Sequence, residues 1–155
     1  MNDFELALFL HLFGVLLFAS GIVVAGVAFE AGRRREAPAE IALLLSLSRV
    51  GVLLVVAGGV ILFGAGLWLV DITAFEIGEG WLSASMALFI ASLIVGGAGG
   101  QRPKRARHLA GSLAEQGRPA TPELRELLDN PVALALNYLS GLMVLAVLVL
   151  MVFKP

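Results

Sequence analysis

Four long apolar stretches constrain this chain more than any other feature of its sequence. They cover residues 4–29, 50–70, 81–99 and 132–153. Each is close to or longer than the roughly 20 residues that a helix needs to cross a bilayer. At 59% hydrophobic and 15% charged, the chain has more apolar side chain than a water-soluble domain of 155 residues can bury. Because barrel strands would alternate polar and apolar residues, the sequence predicts an all-α membrane protein, an up-down four-helix transmembrane bundle in one domain over residues 1–155.

The segments between the stretches differ in charge, which predicts their sides of the membrane. Residues 30–40 and 100–130 are basic or mixed, whereas residues 71–80 carry three acids and no base. By the positive-inside rule, the first two are cytoplasmic loops, residues 71–80 form the outer loop, and both termini lie outside the bacterial cytoplasmic membrane. Trp68 and Trp81 flank the outer loop, as interfacial anchors do. The acidic start of the chain is unlike a cleaved signal peptide.

The second apolar stretch extends upstream to residue 41, but Arg49 interrupts it. A helix over residues 41–70 would measure about 45 Å, which exceeds the hydrocarbon core. Either the helix protrudes and Arg49 reaches up to lipid phosphates, or Arg49 is drawn inward to Glu30 or a bound anion; the first arrangement is the commoner one.

Segment 100–130 has its own helix signals. Thr121 followed by Pro122 predicts the start of a short surface helix, and Asn130 followed by Pro131 predicts the start of the fourth span. The basic part upstream is either a helix against anionic headgroups or a plain topology determinant. The side chains expected at lipid headgroups are Arg33, Arg34, Arg35, Arg49, Arg102, Lys104, Arg105 and Arg107.

Small residues recur at helical spacing in every span and predict the packed faces, because transmembrane helices associate by close approach. In the first span the stripe consists of Ala7, His11, Gly14, Phe18, Gly21, Ala25 and Ala28. In the other spans the small residues are Gly51, Gly58 and Ala65, then Ser85, Ser92, Gly96 and Gly99, then Ser140 and Gly141.

His11 is the only histidine inside an apolar span, and its stripe turns it toward the helices. An ionisable group held in the membrane is a functional candidate, and imidazole is a common ligand of haem and of metals. Met86 and Met143 are the candidate partners for a haem b or metal site, since His108 belongs to the loop. The alternatives are proton transfer, or a structural hydrogen bond from His11 to a carbonyl or to Ser85.

Several other chemistries are excluded or weakly indicated. The chain has no cysteine, so disulfides, thiolate metal sites and thioether-linked haem are excluded. No nucleotide-binding or hydrolase motif occurs, no catalytic residue is assigned and no nucleic-acid partner is expected. Asp71, Glu76 and Glu79 are acids that could hold a cation, but their spacing matches no known site.

The stretch "HLFGVLLFASG" from His11 resembles the opening helix of a family of bacterial four-helix integral membrane proteins of unknown function. It is also distantly similar to copper-resistance D-type domains and to haem-containing membrane protoporphyrinogen oxidases. The resemblance to the oxidase group implies haem ligation by His11.

Two hypotheses follow for the function. In the first, the protein binds haem b or a metal through His11. In the second, it is a non-catalytic accessory or structural subunit that packs against a larger membrane complex. Membrane lipids are the expected partners, together with a second copy of the chain or a larger complex.

Overall fold

A computed structural model describes residues 2–73 and 79–154, and its backbone there is helical with short connections and no strand. The helices are α1 (Asp3–Arg33), α2 (Pro38–Ile72), α3 (Gly80–Gly99), α4 (Gln101–Glu115), α5 (Pro122–Leu128) and α6 (Pro131–Phe153). Four helical segments are long and apolar enough to cross a membrane: α1, α2, α3 with α4, and α5 with α6. The predicted all-helical class with four spans is confirmed.

Side chains cap several helix starts, as the sequence indicates. Asn2 and Glu5 form a capping box, in which each side chain accepts a hydrogen bond from the backbone N–H of the other at 2.8 and 3.0 Å. Thr121 and Asn130 each accept from the backbone N–H three residues on, at 3.4 and 3.0 Å. The predicted starts of α5 and α6 are therefore confirmed.

The chain divides into two compact units. The first comprises residues 1–30 and 46–77, which include most of α1 and α2. The second comprises residues 31–45 and 78–155, which include α3 to α6.

In the first unit, glycines let α1 and α2 approach backbone to backbone. A Cβ atom on Gly51 would lie 2.5 Å from the backbone nitrogen of Ala25, and one on Gly21 would lie 2.6 Å from that of Val55. Gly14 meets the backbone of Leu62 and Gly58 meets that of Phe18 in the same way. The predicted stripe of α1 is the packed face, and any side chain at these glycines would force the helices apart.

In the second unit, glycines of α3 accommodate small polar side chains of α6. A Cβ atom on Gly96 would lie 2.8 Å from Oγ of Ser140, and Gly99 is equally crowded by α6. The Ser140 hydroxyl donates to the carbonyl oxygen of Ser92 at 2.9 Å. These residues match the prediction, but Gly141 does not, because a Cβ atom there would meet nothing within 4 Å.

The second unit also contains a compact region that we call the polar cap, residues 31–45 and 101–130. Much of the predicted loop 100–130 is helical there, in α4 and α5, and the predicted loop 30–40 is reduced to residues 34–37 between α1 and α2. Its buried core consists of Ile41, Leu45, Ala106, Ala110, Leu113, Leu124 and Leu128. Two of these residues, Ile41 and Leu45, lie near the start of α2. The part of α2 that is too long for the membrane therefore contributes to the core of the cap.

Within the cap, Arg125 of α5 contacts the end of α1. Its guanidinium donates to the carbonyl oxygen of Arg33 at 3.0 Å and to that of Arg35. The side chain of Arg33 forms an ion pair with Asp129 at 3.1 Å. Carbonyls at the end of a helix lack partners within the helix, so Arg125 satisfies groups that would otherwise need water.

At the other end of α3, Trp81 makes polar contacts typical of an interfacial aromatic residue. Its indole N–H donates to the Glu79 carboxylate at 2.6 Å. The ammonium nitrogen of Lys154 lies 5.5 Å from the centroid of the Trp81 ring. The ring thus combines an apolar body with two charged neighbours, the environment of a tryptophan at a membrane surface.

Candidate intramembrane histidine site

His11 faces α2, as its place in the stripe predicts, and makes one hydrogen bond to the backbone of that helix. Its Nδ1 lies 2.8 Å from the carbonyl oxygen of Leu62. A carbonyl oxygen can only accept, so Nδ1 carries the proton and donates. The structure thus contains the interhelical bond to a carbonyl that the sequence suggests for a structural histidine. Ser85, the other suggested partner, instead donates to the carbonyl oxygen of Trp81 at 2.7 Å.

Gly66 provides the space for the imidazole ring. A Cβ atom at this position would lie 3.2 Å from both Cε1 and Nδ1 of His11, closer than most Cβ contacts. Sequence reasoning missed Gly66. The sequence carries no signal for it, because only the structure gives the register that pairs Gly14 with Leu62 and so brings position 11 beside positions 65 and 66.

The bond to Leu62 determines what the other ring nitrogen can do. When Nδ1 holds the proton of a neutral imidazole, Nε2 keeps a lone pair and is free to accept a hydrogen bond or bind a metal. Histidines that ligate metals usually donate their other N–H to a carbonyl or carboxylate, which fixes the ring. Among residues 2–73 and 79–154, no hydrogen-bond partner of Nε2 is recorded. The hydrogen bond to Leu62 therefore holds the ring and leaves Nε2 without a recorded partner in the described part of the chain.

Met86 and Met143 belong to the second unit, whereas His11 belongs to the first. Along the antiparallel pair of α3 and α6, Gly99 faces Asn137. Counting along this register places Met143 level with position 93, seven residues or about 10 Å from Met86 along the axis. The two methionines therefore lie at clearly different depths, and their role as ligands stays a prediction.

Acidic residues do not add a further ligand set to the part of the chain that is described. Residues 2–73 and 79–154 contain no cluster of three or more histidine, cysteine, aspartate or glutamate side chains suited to a metal ion. Of the three acids considered from the sequence, Asp71 and Glu79 flank the segment that is not described, and Glu76 lies outside the described residues.

The predicted headgroup-binding residues fall into two sets. Around the connection between α1 and α2, Arg33 pairs with Asp129, and Arg35 lies 3.6 Å from Glu40. Arg34 is exposed. Arg49 is exposed about a third of the way along α2, as expected of a side chain that reaches up to lipid phosphates.

The second set lies in the first two turns of α4. Lys104 and Arg105 are exposed, and Arg102 and Arg107 are half-buried. Whether any of these residues binds lipid stays a prediction.

Four helical segments of spanning length, joined within each unit by glycine contacts, define an integral membrane protein. A family model described as predicted integral membrane protein (DUF2269) matches residues 5–155. The chain belongs to that family. No curated protein matches the chain, and neither does any solved structure.

Proposed function

We propose that this protein resides in the bacterial cytoplasmic membrane and binds haem b through Nε2 of His11, with a transition-metal ion as the alternative ligand. The observation that carries the proposal is the hydrogen bond from Nδ1 to the carbonyl of Leu62. This bond fixes the tautomer and the ring plane, and it leaves the lone pair of Nε2 for a ligand.

Haem suits this chain better than zinc because of the number of ligands each requires. Zinc sites use three or four protein ligands, whereas haem iron needs one or two. The sequence has two histidines, no cysteine, and a single histidine within a span. His11 would hold the haem iron through Nε2, and the apolar side chains of α1 and α2 would keep water away. When bound, the haem supplies the redox chemistry of its iron.

Purified protein tests the proposal by absorption spectroscopy and metal analysis. The wild-type protein, expressed with a haem precursor and purified in mild detergent, is expected to show a Soret band. The decisive variant is His11→Asn, because the asparagine amide can still donate to the carbonyl of Leu62 but has no nitrogen in the place of Nε2. It should stay folded and lose the band. His108→Asn is the matched control and should keep it.

The same hydrogen bond supports a second candidate, an accessory or structural subunit without chemistry of its own. In that case His11 only joins α1 to α2, at a gain of about 1 kcal/mol. Wild-type protein would then be colourless and free of metal, and His11→Asn would resemble it in every spectrum. A colourless wild-type protein, purified with haem available, would overturn the first proposal in favour of the second.

The orientation belongs to the same proposal, with the polar cap in the cytoplasm and both termini outside. It rests on the basic residues in and beside the cap, against a single base, Lys154, at the far end of α6. Because the chain has no cysteine, Gly111→Cys introduces one unique thiol on α4. An impermeant maleimide should label it in inverted vesicles and leave it unlabelled in intact cells. The reverse pattern would contradict this orientation.

A further inference from the structure

The basic residues at the start of α4 differ from those of the connection between α1 and α2 in what they contact. The guanidiniums of Arg33 and Arg35 lie against carboxylates of the chain. In the described part of the chain, by contrast, no side-chain hydrogen bond or ion pair is recorded for the basic residues of α4. These residues are Arg102, Lys104, Arg105, Arg107 and His108.

The apolar face of α4 is turned into the protein, so its basic face is turned out. Ala106, Ala110 and Leu113 are buried in the cap. With 100° per residue, Lys104 and His108 lie on the side of the helix opposite these three. The helix is therefore held by its apolar face, and its charges remain available to an external partner.

The position of these basic residues relative to the start of α6 follows from the contacts between α3 and α6. Gly100 keeps a helical backbone, with φ −74° and ψ −10°, and its N–H donates to the carbonyl of Gly96 at 2.9 Å. Thus α4 continues α3 with a bend and does not fold back. Since Gly99 faces Asn137, six further residues bring Arg105 level with Pro131, where α6 begins.

This level is that of the lipid headgroups. The 23 residues of α6 span about 34 Å, close to the hydrocarbon thickness of about 30 Å. The start of α6 therefore marks a boundary of the hydrocarbon core, and the α4 cations lie beside it. Lipid phosphates are the anions found at that depth, and each nearby base strengthens the attraction of an anionic surface.

We infer that the start of α4 is a binding face for anionic phospholipid headgroups, and that the connection between α1 and α2 is not. We call this surface the α4 basic face: Lys104, Arg105, Arg107 and His108. Of the eight basic residues expected at headgroups, the inference places Lys104, Arg105 and Arg107 on one binding face and excludes those of the connection. It is independent of ligand binding at His11.

Energy transfer from a fluorophore on α4 to labelled lipid tests the inference. A cysteine at Gly111 is suitable because a side chain there meets nothing within 4 Å and the chain has no other thiol. The labelled protein is placed in nanodiscs of equal amounts of phosphatidylcholine and phosphatidylglycerol. A trace of either lipid carries the acceptor on its acyl chain. Phosphatidylglycerol should be enriched near α4 by on the order of fivefold, and raising salt from roughly 0.05 to 0.5 M should abolish most of this enrichment.

Two charge-matched variants make the test specific. Neutralising Lys104 and Arg105 to glutamine should reduce the enrichment to below about twofold. Neutralising Arg33 and Arg35 to glutamine removes the same charge and should leave the enrichment intact. Equal transfer to both lipids in the wild type would overturn the inference and would favour an acidic protein surface as the partner. An equal loss in both variants would also overturn it. If the α4 variant fails to assemble, the salt response of the wild type still decides.

Discussion

Between α1 and α2 the closest contacts are made by glycines, whereas the polar cap is filled by leucine and isoleucine side chains. Gly51 and Gly58 are buried against the backbone of α1. In the cap, Ile41 and Leu124 are fully buried. The two regions of one chain thus reach close packing by removing side chains in one case and by burying them in the other.

The surrounding solvent explains the difference. Lipid tails are as apolar as leucine, so burying a leucine between spanning helices gains little, and close backbone contact gains dispersion and hydrogen bonding instead. Around the cap the solvent is water, and each buried leucine contributes about 2 kcal/mol. Leu142 of α6 illustrates the first situation, because it lies in a span and stays 64% exposed.

The largest effect is expected from removing a cap leucine. Leu124→Ala leaves a cavity in a core where this residue has no exposed surface, and should destabilise the cap by about 3 kcal/mol. Leu142→Ala, the matched control in a span, should change stability by less than about 0.5 kcal/mol because lipid replaces the lost contact. Hydrogen exchange of α5 amides in detergent, measured along a urea titration, checks both values. Similar losses of stability in the two variants would contradict the difference drawn here between the cap and the spans.

A smaller effect is expected from adding one methyl group between α1 and α2. Gly58→Ala places a Cβ atom against the backbone of Phe18, so the helices must separate, at a cost of about 2 kcal/mol. Gly64→Ala on the same helix meets nothing within 4 Å and should be neutral or slightly stabilising. Melting in detergent distinguishes them. If Gly58→Ala and Gly64→Ala have the same melting temperature, the glycine contacts do not hold α1 against α2.

The smallest effect is expected from a hydrogen bond inside the membrane. Ser140→Ala removes the bond to the carbonyl of Ser92 and should cost about 0.6 kcal/mol, the average for such bonds between spanning helices. Ser83→Ala is the control and should cost less, because this exposed hydroxyl donates only to carbonyls at the start of its own helix. Steric trapping in bicelles has the precision to separate the two. A loss at Ser140 as large as that at Leu124 would mean that polar contacts dominate in the membrane.

The spans and their packed faces are predictable from the sequence because length and small-residue spacing act locally. The stripe through Gly14 and Gly21 needs only the helical period, and both glycines contact α2 as that period requires. The core of the cap is not predictable in this way. Ile41 and Leu45 extend an apolar stretch beyond the length of a span, so the sequence indicates a protruding helix. Only the partners brought by α4 and α5 show that these two residues are buried in the cap.

The sequence predicts one part of the candidate site and not the other, for a related reason. The direction of His11 follows from its own helix, and the structure places the ring against α2 as expected. The carbonyl of Leu62 and the space at Gly66 depend on the register between two helices, which no single span encodes. That Met143 lies at another depth than Met86 is predictable from their positions in the spans, but the separation of about 10 Å follows only once Gly99 and Asn137 fix the pairing of α3 with α6.

The glycine beneath the imidazole ring has an evolutionary consequence. Because a methyl group at position 66 would lie 3.2 Å from the ring of His11, the ring would have to shift by a few tenths of an ångström, so mutations at the two sites are not independent. Relatives that keep the histidine are expected to favour the glycine, and alanine at position 66 should be better tolerated once a smaller residue replaces the histidine. Within the family, the two positions should therefore covary as a pair.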